Sequence, residues 1–281
     1  MEFYSPLRYP GGKNKISPFL KDVVLKNKLK NGVYIEPYAG GASIALTLLI
    51  EGYVSEIIIN DYDKSVYAFW HSIINKTDGF CNKIRNTKVN INVWKKQKRI
   101  QSNKERARLF DLGFSTFFLN RTNRSGILKA GPIGGMTQDS EWSIGDRFNK
   151  KRLINQIELI AKYKKQIKIY NWDSVRLVNE ISGKLPTKTL IYFDPPYYIK
   201  GKDLYINYYK HNDHVLVANM ISNIKGSKWI VSYDKVPEIL NLYRQYSKRK
   251  YNLNYSLING TVGKEVMFFS KNLKFIPSKI V

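Results

Sequence analysis

Val33-Tyr34-Ile35-Glu36-Pro37-Tyr38-Ala39-Gly40-Gly41 is the stretch on which the fold of this chain turns. Its first three residues read as a buried strand, and the glycine-bearing remainder as a tight loop. Ala42 to Ile50 then reads as a helix stopped by Gly52. Val54 to Ile59 is a second apolar run, ending at Asn60-Asp61. Strand, Gly-rich turn, helix and strand make a β-α-β unit, in which ligands sit at the carboxyl ends of the strands. Glycines in such a turn let the backbone approach a ligand closely. Asp61 lies about twenty residues beyond Gly40, the spacing at which an acid commonly accepts hydrogen bonds from ribose hydroxyls. Strict G-x-G-x-x-G spacing is missing. Taken alone, the stretch reads equally as a nucleoside site or as a tight turn with a capping acid.

The same rhythm returns towards the C-terminus. Ile167 to Tyr170, Leu190 to Phe193 and Trp229 to Ser232 read as strands, and His214 to Ile224 and Pro237 to Tyr246 as helices. Tyr255 to Ile258 and Val266 to Phe269 read as a terminal antiparallel hairpin with a loose connection. Between the two α/β stretches the chain changes character. Residues 72–165 are rich in Lys, Arg and Asn and mostly helical in pattern, with helices near 106–118 and 150–163. A Gly-rich interruption spans Asn120 to Gly135. The expectation is one discontinuous α/β domain, 1–71 with 166–281, split by a basic helical insertion at 72–165.

Forty-seven Lys and Arg against 22 Asp and Glu give a net charge of +25 over 281 residues. That excess points to a polyanionic partner, nucleic acid above all. A genome poor in G and C, signalled by abundant Lys, Asn and Ile, accounts for part of it. Twenty tyrosines add faces on which bases stack. Cys81 is the single cysteine, which excludes an intrachain disulfide and fits a reducing cytosol. With three histidines besides, a structural zinc site is disfavoured, and His211-Asn212-Asp213-His214 reads as a helix start. Met1 to Pro6 lacks a signal-peptide pattern, and no run approaches the roughly 18 apolar residues of a membrane span. A cytoplasmic protein without membrane contact is expected.

Leu190-Ile191-Tyr192-Phe193 delivers Asp194-Pro195-Pro196-Tyr197 to its carboxyl edge. The prolines fix φ and remove two backbone donors, leaving a stiff corner rich in acceptors beside an aromatic ring. That suits a planar base with an exocyclic amine. Such an amine is a poor nucleophile, because its lone pair delocalises into the ring. Acceptors on both its hydrogens, Asp194 Oδ and the Pro195 carbonyl, favour a pyramidal nitrogen aimed at an electrophile. Charge grows on that nitrogen during attack, so a fixed carboxylate is worth more in the transition state than before it. Tyr197 would stack on the base. Arg8-Tyr9-Pro10-Gly11-Gly12-Lys13 by itself reads as an ordinary loop, and it lacks the spacing of a P-loop.

Taken together and in order, Arg8 to Lys13, Glu36 to Gly41, Asn60-Asp61 and Asp194 to Tyr197 resemble the Dam-type DNA adenine-N6 methyltransferases. Phe118-Leu119-Asn120-Arg121-Thr122 and Gly263-Lys264-Glu265-Val266-Met267 extend the resemblance over nearly the whole chain. It implies S-adenosylmethionine as cofactor, contacted by Tyr9, Lys13, the loop residues Glu36, Pro37 and Gly40, and Asp61 at the ribose. Asp173 matches the position at the cofactor's adenine. Asp194, Pro195, Pro196 and Tyr197 match the catalytic motif, Asp194 also facing the cofactor. Asn120, Arg121, Asn123 and Arg124 fall where the family contacts DNA. The implied fold is a Rossmann-like mixed β-sheet with helices on both faces, plus a mostly helical DNA-recognition insertion. The implied partner is double-stranded DNA, from which the target adenine must be flipped out. No metal is needed, because the sulfonium is already an activated electrophile. Two departures matter. Tyr9 stands where the family commonly has Trp, and Asn123 to Gly131 differs from the GATC-specific members, so the target sequence does not carry over. Cytosine N4 in DNA, adenine in RNA and a catalytically silent regulator are the alternatives. Oligomeric state and a companion restriction endonuclease are left open.

Overall fold

Seven strands hydrogen-bond into one sheet: β1 (Gly32–Glu36), β2 (Val54–Asn60), β3 (Ile167–Tyr170), β4 (Thr189–Phe193), β5 (Lys228–Asp234), β6 (Ser247–Asn254) and β7 (Val262–Phe269). The structure is a computed structural model, and it describes residues 3–8, 13–199, 209–254, 262–277 and 279–280. The strand order is β3-β2-β1-β4-β5-β7-β6, with β7 antiparallel to both its neighbours and the other pairs parallel. Chain order reverses direction across the sheet between β1 and β4. In a Rossmann-like sheet that reversal opens the crevice where ligands bind.

The central strands are apolar on both sides, as strands covered by helices on both faces must be. Val33, Ile35, Ile191, Phe193 and Val231 bury one face against Val178 of α8 (Ser174–Ile181), Val217 and Ile221 of α9 (His211–Ser222), and Ile239 of α10 (Pro237–Leu242). Residues of the other parity, Tyr34, Ile57, Ile59, Leu190 and Ile230, are equally buried. On that side Phe19 of α1 (Ser17–Lys26) meets Phe269 at 6.1 Å, and α2 (Ser43–Ile50) follows β1.

The chain divides into two compact units, Met1–Pro10 with Asp63–Lys165, and Gly11–Tyr62 with Gln166–Val281. The sheet lies in the second. The first holds α3 (Lys64–Asn75), α4 (Thr77–Asn86), α5 (Ile91–Ser102), α6 (Leu109–Thr122) and α7 (Lys150–Lys162). Helix α6 is buried from Leu112 to Asn120, which explains its near-continuous apolar sequence. Phe69, Phe80, Phe114, Phe117 and Phe148 interlock around it, with Phe69 stacked on Phe117 at 5.9 Å. A Cβ at Gly113 would lie 2.3 Å from the Ala68 carbonyl oxygen, so α3 and α6 approach too closely for any larger residue. This packing sets α3 with the helical unit, and the unit boundary falls at 62/63 where sequence placed it at 71/72. Residues 3–8 group there too, because Asn120 grips the Arg8 backbone in both directions.

Two elements depart from expectation. Helix α10 ends at Leu242, and Ser247–Asn254 forms a strand paired with β7 where no strand was expected; residues 255–258, expected as a hairpin strand, lie outside the described residues. Ser247-Lys248-Arg249-Lys250 carries little apolar signal because β6 is an edge strand, where charge deters pairing with other chains. Among the described residues no helix is long and apolar enough to cross a membrane.

Candidate active site

Three loops meet at the carboxyl edge of β1, β2 and β3, and Asn60 ties them together. Its amide nitrogen donates to the carbonyls of Pro37 (2.9 Å) and Trp172 (3.0 Å), and its oxygen accepts from the Trp172 N–H. Asp61 follows, and its Oδ2 accepts from the Gly40 N–H at 2.9 Å, so the first loop and the predicted ribose acid are directly joined. Tyr38 in the same loop bonds Ser174 Oγ at 2.6 Å and Tyr209 Oη at 3.2 Å. Asp173 is exposed, and its Oδ1 caps α8 by accepting from the N–H groups of Val175 and Arg176.

Glu36 and Asp194 stand at the ends of β1 and β4, the two strands that flank the topological reversal. Glu36 is buried, and its Oε1 accepts from Tyr34 Oη and the Ala45 N–H, both at 3.1 Å. Burial pushes its carboxyl up to about 8; the two hydrogen bonds oppose the shift, and the nearby charge of Asp194 adds to it. A neutral buried carboxyl has a measurable signature. Its folded-state value lies above that of the unfolded chain, so the stability advantage is complete below about pH 4.3 and is lost as pH rises through about 8. Unfolding in urea between pH 5 and 8 should show stability falling with a component of up to about 1.4 kcal/mol per pH unit, absent in Glu36→Gln. Identical slopes in the two proteins would remove Glu36 as the cause.

Asp194 is half-buried, and Ser232 Oγ on the adjacent strand donates to its Oδ1 at 2.8 Å. Tyr192 Oη lies 2.8 Å from the same Ser232 Oγ. With the serine proton committed to the carboxylate, the tyrosine is the donor in that second bond. Period-two alternation puts Tyr192, Asp194 and Ser232 on one side of the sheet, and Tyr34 and Glu36 beside them. Pro195 is buried and Pro196 half-buried. Tyr197 is 7 % exposed, and its hydroxyl donates to Glu265 Oε1 at 2.6 Å, while Tyr251 donates to Oε2 at 2.5 Å. Burial, then the carboxylates of Asp194 and Glu265, hold the Tyr197 hydroxyl well above its ordinary value, so it stays protonated. Asp234 accepts the next two backbone N–H groups, those of Tyr198 and Ile199, at 2.9 Å each. The two prolines supply no N–H donors, and beyond Tyr197 the segment is held by a carboxylate that takes the next two backbone donors.

Tyr9 lies outside the described residues. Lys13 opens a single turn of 3₁₀ helix, Lys13–Ile16, and its side chain is likewise outside them. The four residues expected at DNA belong to the helical unit and divide into two kinds. Asn120 and Asn123 point inward. Asn120 accepts from the Arg8 N–H and donates to the carbonyls of Arg8 and Gly126. Asn123 accepts from Trp94 Nε1 at 2.7 Å and donates to the carbonyls of Ile127 and Leu128. Both amides thus bond within the protein and order the loop, where a contact with DNA was expected of them. Arg121 Nε donates to the Arg147 carbonyl; burial, with Arg8, Arg152 and Arg147 nearby, lowers its guanidinium to about 10. Arg124 is exposed. His214 is buried with Nδ1 3.1 Å from Tyr233 Oη, and burial lowers it to about 4. Among the described residues no group of three or more His, Cys, Asp or Glu is placed to hold a metal ion.

Ser232, Asp234, Tyr192 and Tyr251 are the site residues that sequence reasoning did not find. The acidic end of β5 was their nearest signal, but which residue faces Asp194 depends on strand register.

The model of the D12 class N6 adenine-specific DNA methyltransferases matches residues 9–257. Type II methyltransferase M.MjaIII of Methanocaldococcus jannaschii is 23% identical over 282 aligned positions, covering 90% of this chain and 94% of that protein. Among solved structures, PH1948 of Pyrococcus horikoshii, provisionally described as an RNA methyltransferase, aligns over 94% of this chain and 86% of its own at 11% identity and a TM-score of 0.45. A SAM-dependent methyltransferase of Agrobacterium tumefaciens aligns over 92% of this chain and 61% of its own at 9% identity and a TM-score of 0.44. The match to the family's model spans both the strand-edge carboxylates and the helical unit, and on it the chain belongs to the D12 class of N6 adenine-specific DNA methyltransferases, which take their methyl group from S-adenosylmethionine.

Proposed function

We propose that this chain methylates N6 of an adenine turned out of duplex DNA at a defined sequence, with Asp194, Pro195, Pro196 and Tyr197 receiving the base. The observation that carries the reading is the Tyr192–Ser232–Asp194 chain of hydrogen bonds, which fixes one oxygen of the carboxylate at the crevice between β1 and β4. A carboxylate held in this way needs no reorganisation as charge develops on the amine. Its role is to accept an N6 hydrogen while the Pro195 carbonyl accepts the other. Glu265 and Tyr251 set the plane of the Tyr197 ring, and Asp234 sets the backbone that leaves it.

The donor set fits S-adenosylmethionine. Asp61 follows β2, Asp173 lies in the loop after the adjacent β3, and Gly40 brings backbone to Asp61. Glu36, Pro37 and Gly40 form the turn beneath them, and Tyr9 and Lys13 are assigned to the same ligand by resemblance. When bound, it supplies a methyl group on a sulfonium.

The helical unit, which includes residues 72–165, is assigned to the duplex. Arg121 and Arg124 are its candidate base or phosphate contacts, while Asn120 and Asn123 hold the loop that presents them. The relative's designation as a Type II methyltransferase supports a modification role beside a restriction endonuclease, acting on DNA in the cytoplasm. Incubation with labelled cofactor and duplex DNA, followed by single-molecule sequencing, should show label in DNA and N6-methyladenine in one sequence context. Absence of label in any nucleic acid would reject an enzymatic role. Label in cytosine or RNA alone would transfer the reading to another amine.

A further inference from the structure

A groove of about 920 Å³ runs through the helical unit between the end of α4, helix α5 and the start of α6. Six of its 17 lining residues are Lys or Arg, about one in three, against 47 of 281 in the chain, about one in six. The groove is therefore twice as basic as the protein, beyond what composition alone provides. Its one acid, Asp111, is shared by Lys83 and Arg108, each at 2.7 Å. Lys88, Lys96, Arg99 and Arg106 are exposed and make no ion pair or side-chain hydrogen bond among the described residues.

These four cations are strung along the groove rather than gathered at a point. Lys96 and Arg99 are one turn apart on α5, Lys88 precedes that helix and Arg106 follows it. Asparagine amides lie between them, at Asn90, Asn92 and Asn103. A second depression of about 530 Å³ shares Asn90 and Asn92 and continues to Gln138 and Ser143. A line of unpaired charges interspersed with amide donors matches a partner with repeating phosphates and sugar oxygens, not a single small anion.

We infer that this track binds the sugar-phosphate backbone of DNA flanking the methylated site, apart from the loop after α6. The inference rests on duplex DNA as substrate. The test compares wild type with a fourfold variant, Lys88→Gln, Lys96→Gln, Arg99→Gln and Arg106→Gln. Affinity is measured over a salt series on a duplex just covering the target and on one extended by about one helical turn (~10 base pairs) on each side. All four side chains are exposed, and circular dichroism with thermal melting checks the fold. On the extended duplex the slope of log affinity against log salt should fall by about 0.9 for each phosphate no longer neutralised, roughly 2 to 4 in total. On the short duplex the slope and the turnover at saturating DNA should not change. An unchanged slope on the extended duplex would overturn the inference, and so would an equal fall on both lengths. Binding is read without methyl transfer, so a chain that binds DNA yet transfers nothing would defeat the catalytic reading and leave this result standing.

Discussion

Asp194→Ala should slow methyl transfer by about a thousandfold or more, the scale of removing a preorganised transition-state contact, while S-adenosylmethionine still binds. The expectation follows from where the carboxylate is held. Ser232 and Tyr192 fix its Oδ1, and β4 fixes its backbone, so the side chain meets the substrate amine without rearrangement. Alanine removes the acceptor to which the Ser232 hydroxyl donates. Asp194→Asn keeps the volume and isolates the charge: its amide turns a donor towards hydrogens that need acceptors. Single-turnover rates with labelled cofactor, beside calorimetric binding of the cofactor, separate chemistry from binding. A rate within tenfold of wild type, about 1.4 kcal/mol in barrier, would deny Asp194 its role.

Glu265→Ala should cost about 3–5 kcal/mol of folding stability, since two hydrogen bonds to a buried carboxylate disappear at once. Glu265 is 1 % exposed and lies opposite Tyr251 on β6 and Asp234 on β5. Its removal takes away the buried carboxylate to which the hydroxyls of Tyr197 and Tyr251 both donate. Urea unfolding measures the loss, and a cost under about 1 kcal/mol would mean that water or a neighbour satisfies both phenols. Glu265→Gln tests positioning apart from stability. It keeps the shape and one acceptor, so the fold should survive while Tyr197 loses its fixed plane. A lower kcat with unchanged cofactor affinity is expected there, and unchanged kcat would confine Glu265 to a structural part.

The central sheet was legible because its strands are buried on both faces. Tyr34-Ile35, Ile57-Ile58-Ile59 and Leu190-Ile191 read as unbroken apolar runs, and β1, α2, β2 and β4 fall within a residue or so of their expected bounds. Strand β6 was not, because an edge strand written Lys-Arg-Lys carries the composition of a loop. In the site, Asp194 to Tyr197 was visible as a local string. Its supports were not, because Ser232 is 38 residues away and Glu265 is 68 from Tyr197, joined only by register. Asn120 and Asn123 illustrate the converse. An amide in a Gly-rich basic stretch looks like a ligand-reading group, and only packing reveals that it faces its own backbone.

The loop after α6 is held by its main chain. Asn120 takes the Gly126 carbonyl, and Asn123 takes those of Ile127 and Leu128. Lys98 Nζ on α5 takes those of Leu128, Lys129 and Ala130. Every one of these grips is on main-chain oxygen, and every gripping residue lies outside the gripped span. Side chains from 127 to 130 can therefore be exchanged without disturbing the mount that carries them. The arrangement works as a socket with a replaceable cartridge: Asn120, Asn123 and Lys98 hold the main chain from 126 to 130 whatever side chains it carries.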